Sequence, residues 1–463
     1  MLFSSLVFLY FFLPAVLAGY YLLPPRCRTA FLLLANLVFY GFGEPAFVLL
    51  MLLSIAINYA GGLCIGRCRG ARARRLALAA PLLLNLLLLG IFKYAGFLAD
   101  TLRLFPAFSG LPEVSIPLPI GISFYTFQSI SYLIDVYREE HPPQRNLLTF
   151  GAYISLFPQL IAGPIVRYRD VERDLASPRR ESAEKFSCGA ELFLIGLSKK
   201  VLLANPLGAL WERLSAAPDA PTAAAAWVGA AAFSLQLYFD FSGYSDMACG
   251  LGQLFGFRFG GNFNYPYTAR TVSDFWRRWH MSLTSWFRDY VYIPLGGSRR
   301  ALPRVLLNIA VVWALTGLWH GASWNFVLWG LYYAVLLILE KLFLGRLLGR
   351  LPAAVGHAWT LLAAVTGWML FAIEDLSRLR AYLAAMFTGW TAATAAEAAL
   401  VSAYLPLLAA AVFASLPAGK RLFSRLPQRG GRALAAVLSV LALLLCTAAL
   451  AGDSYNPFLY FRF

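Results

Sequence analysis

Residues 273–330 read SDFWRRWHMSLTSWFRDYVYIPLGGSRRALPRVLLNIAVVWALTGLWHGASWNFVLWG, and the fold and the chemistry both hang on this stretch. Trp276, Trp279, His280, Leu283, Trp286, Phe287 and Tyr290 recur at helical spacing, while Arg277, Arg278, Ser282, Ser285, Arg288 and Asp289 take the other side. The pattern predicts an amphipathic helix lying in a membrane interface. His280 falls within its aromatic face, where burial disfavours the imidazolium and leaves a neutral ring able to exchange a proton. His320 follows the apolar run Val305 to Trp319 and precedes Gly321. It is expected where one membrane helix ends and the next, Ser323 to Leu339, begins.

The rest of the chain has the bilayer as its solvent. Of 463 residues 60% are hydrophobic and 13% charged, against roughly 25% charged in soluble proteins. Apolar runs long enough to span, about 20 residues each, recur along the whole length, so one polytopic all-α domain over 1–463 is expected. The formal net charge of +16 sits in short loops between apolar runs, as the positive-inside rule describes. It forms no contiguous basic domain, which argues against nucleic acid as a partner. Cys27, Cys64, Cys68, Cys188, Cys249 and Cys446 show no paired CxxC elements, so neither a metal site nor a disulfide framework is expected.

Charge orients the spans. Arg26 and Arg28 follow a first apolar run, Phe3 to Leu23, which has no basic n-region and reads as a retained span rather than a cleaved leader. Arg67, Arg69, Arg72, Arg74 and Arg75 follow a third run. Placing both loops in the cytoplasm puts the N-terminus outside, and continuing the alternation puts the tail 452–463 outside as well. Leu147 to Ile165 is apolar but has basic stretches on both flanks, and Pro158, Gly163 and Pro164 interrupt it; it is expected to re-enter rather than cross. The count reaches about ten or eleven transmembrane helices, with re-entrant and interfacial pieces and without a transporter-like internal repeat.

RRWHMSLTSWFRDYVYIPLGG followed by TGLWHGASWNFVLWG resembles the membrane-bound O-acyltransferase superfamily, most of all its bacterial alginate O-acetyltransferase-like branch. Gly121 to Arg138, Phe157 to Tyr168 and Asp240 to Gly256 extend the likeness, and the motif-bearing core covers 115–345. The resemblance implies a ring of helices in a bacterial inner membrane, with His320 of the WHG element as the catalytic residue and His280 of the RRWH element as its polar partner. It also implies an acyl group taken from a cytoplasmic thioester, on coenzyme A or on an acyl carrier protein, and moved toward hydroxyls of an extracytoplasmic polysaccharide. An extracytoplasmic SGNH-type acetyltransferase would be the partner that completes the transfer. No permanently bound cofactor is expected. The rival readings are a teichoic acid D-alanyl transfer protein of the same superfamily and a polymer or lipid transporter.

Read from the residues alone, His320 serves equally as a base and as a turn histidine bonded to a backbone carbonyl. Asp240 and Tyr244 share a helix face; they line a tunnel, or Asp240 pairs with an arginine such as Arg270 or Arg277. Asp274 is expected to cap the amphipathic helix, and Asn325, about a turn from His320, to orient the imidazole or donate to an oxyanion. The tail Asp453 to Phe463 reads DSYNPFLYFRF. It is either an aromatic anchor at the interface or a segment that folds back so that the Tyr460 phenol takes up the acyl group as a relay. The chain has no phosphate loop, nucleophile elbow or HExxH helix, which excludes NTP hydrolysis, serine hydrolase and zinc protease chemistry.

Overall fold

The computed structural model describes residues 1–176, 182–215, 221–388, 391–452 and 459, and every regular element among them is helical. Seven of these helices are long and apolar enough to cross a bilayer. The sequence count of ten or eleven is higher because it includes stretches that fold as shorter or more polar helices. Phe8–Leu22 is a shorter apolar helix, Pro25–Gly43 carries Arg26 and Arg28 in its first turn, and Ala223–Leu254 buries Gln236, Asp240 and Ser242 along its length. Contacts between residues divide the chain into two compact units.

The first unit comprises Met1–Phe193 and Ser245–Gly260. Its crossing helices are Pro45–Arg67 and Ala71–Arg103, the latter passing through a widened π turn at Gly90–Tyr94. The two are joined inside the bilayer region by their amides: Asn58 Nδ2 donates to Asn85 Oδ1 at 3.1 Å and Asn85 Nδ2 returns the bond at 2.7 Å. Satisfying both amides against each other is what makes two buried asparagines tolerable without water. Ile122–Tyr137 is buried along most of its length. Beside it, Leu147–Ile154 and Phe157–Leu160 are separate short helices, followed by non-helical chain through Arg167. Eight residues of helix reach about 12 Å, less than half of a hydrocarbon core of about 30 Å. No helix of this segment is therefore long enough to span by itself, and its irregular backbone is buried against protein.

The second unit comprises Leu194–Tyr244 and Gly261–Phe463, and carries the crossing helices Leu302–His320, Trp324–Arg350, Ala353–Ala372, Ala395–Ala414 and Gly430–Gly452. Its core is aromatic, with Trp276, Trp279, Trp329, Tyr333, Trp368 and Phe371 buried together. Leu302–His320 and Trp324–Leu339 form a hairpin whose backbones nearly touch. A Cβ on Gly317 would lie 2.4 Å from the Phe326 carbonyl oxygen, and one on Gly330 would lie 2.5 Å from that of Trp313. Helix association in lipid relies on such small-residue contacts because there is no water to expel. Their consequence here is to hold the end of the first helix, His320, against the start of the second.

Candidate functional site

The single amphipathic helix expected from Ser273 through Tyr290 does not form. Val272–Arg278 and Met281–Phe287 are two separate helices, with a π segment Arg288–Tyr292 after them. The break is at His280, whose backbone is left-handed at φ 44°. Periodicity carried through the break because both halves bury the same aromatic side. What stabilises the left-handed turn is the segment 262–264, which bonds the backbone on either side of it: Asn264 N–H donates to the Arg278 carbonyl at 2.9 Å and Met281 N–H donates to the Asn262 carbonyl at 2.9 Å.

That arrangement fixes the His280 ring. Its Nδ1–H donates to Asn262 Oδ1 at 3.1 Å, and the same oxygen accepts from the Ser282 backbone N–H at 3.2 Å and its hydroxyl at 3.0 Å. A carbonyl oxygen only accepts, so the neutral ring carries its proton on Nδ1 and presents a bare lone pair at Nε2. Nε2 is buried and has no hydrogen-bond partner among the described residues. Burial also holds this imidazole far below its ordinary range, at about 3, because the charged form would lose its hydration. The ring is 1% exposed and packs edge-on to Phe241 with centroids 4.6 Å apart.

His320 ends the Leu302–His320 helix and is 7% exposed. Its ring stands nearly perpendicular to Trp329 at 4.9 Å, to Trp319 at 5.0 Å and to Phe371 at 5.3 Å. Trp319 is also a neighbour of His280, at 6.1 Å. The structure thus brings the two histidines, 40 residues apart in sequence, to one indole.

The remaining expected residues separate. Asp240 does not pair with Arg270 or Arg277; its Oδ1 lies 2.7 Å from Lys200 Nζ, the two side chains 3% and 4% exposed. Lys200 is turned inward within a π segment, Lys199–Ala204, and the helices come close because Gly243 faces the Gly196 carbonyl, where a Cβ would approach to 2.7 Å. Asp240 Oδ2 also accepts the Leu459 backbone N–H at 2.9 Å, and Leu459 is buried. Tyr460 itself lies outside the described residues. Tyr244 is buried one turn along from Asp240.

Asp274 is not the cap expected of it. Thr271 Oγ1 accepts the Asp274 N–H at 3.0 Å and is the cap, while Asp274 binds Arg278 at 3.0 Å. Asn325 does not serve His320 either. Its Nδ2 donates to the Phe371 carbonyl at 3.1 Å, joining two helices, and its Oδ1 accepts from the Ser323 hydroxyl at the start of its own helix.

Three contributors escaped the sequence reading. Asn262 orients His280 from 18 residues upstream, with nothing in the pattern to mark it. Lys200 pairs with Asp240 from 40 residues upstream, and nothing in the spacing couples the two. Glu340 accepts the Val272 N–H at 2.6 Å, the Ser273 N–H at 2.9 Å and the Ser273 hydroxyl at 2.7 Å, and so anchors the start of the aromatic helix; an acid at the end of an apolar run is a signal that does find it.

Known proteins share this arrangement of sequence. A family model described as MBOAT, membrane-bound O-acyltransferase family, matches residues 137–348, a range that includes both histidines. A probable alginate O-acetylase of Azotobacter vinelandii is 39% identical over all of both chains. One of Pseudomonas aeruginosa is 44% identical over 84% of this chain and 75% of its own. A peptidoglycan O-acetyltransferase of Helicobacter pylori is 34% identical over 74% of this chain and 70% of its own. End-to-end identity at this level leaves no room for a different fold, and the chain belongs to the membrane-bound O-acyltransferase family, in its alginate O-acetyltransferase-like branch.

Proposed function

We propose that this multi-pass membrane acyltransferase takes an acetyl group from a cytoplasmic thioester, on coenzyme A or an acyl carrier protein, and delivers it toward hydroxyls of an extracytoplasmic polysaccharide of the alginate type. The observation that carries the chemistry is the pair of buried histidines on Trp319, one of them with its tautomer set by Asn262. In the proposed step the attacking hydroxyl gives its proton to His320 as its oxygen bonds to the acyl carbon. The carbon–sulfur bond then breaks and the proton passes to the departing thiolate, so that ester and thiol leave in balance. His280 Nε2, a fixed acceptor, orients the hydroxyl. The indole N–H groups of Trp276 and Trp329 are buried with no acceptor among the described residues, and are available to the oxygen that gains charge.

The arginine-rich loops support a donor side in the cytoplasm of an inner membrane, with both termini outside. On that orientation the tail lies where an SGNH-type partner would collect the acyl group. The buried Leu459, gripped through its backbone by Asp240, supports the relay reading over the anchor reading. Tyr460 is then the residue to carry the acyl group as a phenyl ester. The test is complementation of a strain lacking the chain, reading glycan acetate released by mild base. Wild type is expected to restore acetate and Tyr460→Phe to restore almost none. Wild type without effect on any extracytoplasmic glycan overturns the function; full acetate with Tyr460→Phe removes the relay and leaves direct transfer.

A further inference from the structure

Within the second unit a cavity of about 420 Å³ lies between the Leu302–His320/Trp324–Leu339 hairpin and the start of the Val272–Arg278 helix. Its two ends differ in chemistry. One is walled by Ile309, Val312, Trp313 and Leu337, each half-buried on a membrane-crossing helix, where the surrounding solvent is hydrocarbon. At the other end the polar groups are mostly taken. Glu340 spends its carboxylate on the Val272 and Ser273 N–H groups and the Ser273 hydroxyl, Thr271 Oγ1 accepts the Asp274 N–H, and the Tyr292 and Ser298 hydroxyls bond at 3.0 Å. Arg277 and Lys341 complete the lining, and both are exposed. Among the described residues neither has a carboxylate within ion-pair distance.

Two cations on one cavity repel each other until an anion joins them. What kind of anion follows from the wall beneath. Gly317 faces Gly330 across the hairpin, so Lys341, eleven residues past Gly330, stands level with Leu306, and Trp313 lies about 10 Å further along the helix. A cationic rim above an apolar wall fits an anionic amphiphile. A water-soluble phosphate would leave the wall without a partner, and a zwitterionic head would bring its ammonium against Arg277 and Lys341. The volume, within the range of small-molecule sites, admits a phosphate head and the upper part of one chain, the remainder lying in the bilayer.

We propose that this cavity is a site for one anionic phospholipid, its phosphate held by Arg277 and Lys341 and one acyl chain laid along Ile309, Val312, Trp313 and Leu337. The lipid then sits against Ser273, whose bonds to Glu340 fix the start of the Val272–Arg278 helix. It ties that helix, which leads into the turn at His280, to the hairpin that ends in His320. The test uses the full-length protein in detergent, titrated with dioctanoyl phosphatidylglycerol, dioctanoyl phosphatidylcholine and glycerol 3-phosphate. The thermal midpoint and the lipid retained in native mass spectrometry are the two readouts.

Phosphatidylglycerol is expected to raise the midpoint saturably and to stay bound, and the other two to do neither at the same concentrations. The double variant Arg277→Gln/Lys341→Gln, at two exposed positions, should remain monodisperse and bind phosphatidylglycerol at least about tenfold more weakly. Arg277→Lys/Lys341→Arg keeps both charges and should keep most of the affinity. Arg346→Gln, on the same Trp324–Arg350 span but outside the lining, should bind as wild type does. Equal effects of phosphatidylglycerol and phosphatidylcholine, or unchanged phosphatidylglycerol binding in the Gln double variant, overturn the proposal. So does an equal effect of glycerol 3-phosphate, which would make the cavity a plain anion site with no use for its apolar wall. Displacement of the lipid by coenzyme A overturns it as well, by giving the cavity to a soluble nucleotide.

Discussion

Substituting His320 by alanine is expected to lower glycan acetylation by at least about 10²-fold, the lower end of what a positioned general base contributes, with the protein still inserted. The ring occupies a helix end among Trp329, Trp319 and Phe371, so the substitution opens a void at the end of a helix without breaking a hairpin that Gly317 and Gly330 hold together. His320→Gln, closer in size, separates chemistry from packing: both variants should be monodisperse in detergent and both inactive. His280 calls for a different substitution, because alanine at φ 44° is strained whatever the chemistry. His280→Asn keeps a residue that accepts left-handed backbone and removes the Nε2 acceptor. Its activity should fall less than that of His320→Ala if His280 orients the hydroxyl. Near-normal acetate with normally expressed His320→Ala and His320→Gln would take His320 out of the reaction.

The second large effect is on stability. Asp240→Ala leaves the Lys200 ammonium, 4% exposed, without its counter-charge. Breaking one side of a buried pair costs about 3–5 kcal/mol, whereas replacing both partners by apolar residues of similar size is often neutral. Asp240→Ala should therefore lower the thermal midpoint in detergent by many degrees, and Lys200→Met/Asp240→Leu should recover most of it. Acetylation should stay low in the recovered double variant, because the carboxylate that accepts the Leu459 N–H is still missing. Full activity in a stable double variant would reduce the pair to a helix fastener with no bearing on the tail.

The crossing helices were legible because hydropathy acts on whole stretches: the apolar run Val305 to Trp319 lies within a few residues of the helix Leu302–His320. The interruption at 147–165 was legible too, from a cluster of two prolines and a glycine that weakens any helix. What escaped was set by contacts distant in sequence. A period of 3.6 residues persists through the break at His280, since only the bonds to 262–264 turn the chain there. Asp240 was matched to arginines by charge, but proximity, created by the contact of Gly243 with Gly196, selected Lys200. Asp274 and Asn325 had plausible chemistry by spacing and were already committed to Arg278 and to the Phe371 carbonyl.

The left-handed backbone at His280 also bears on how this position can drift over generations. Besides glycine, the residues that occupy such backbone most readily are asparagine, aspartate and histidine, so selection for a folded chain alone admits a short list. None of the other three carries a neutral ring nitrogen that accepts a proton. Lineages that no longer need the reaction should therefore accumulate asparagine or aspartate here while keeping a properly inserted protein, and such copies would be recognised by that one letter long before the membrane fold decays.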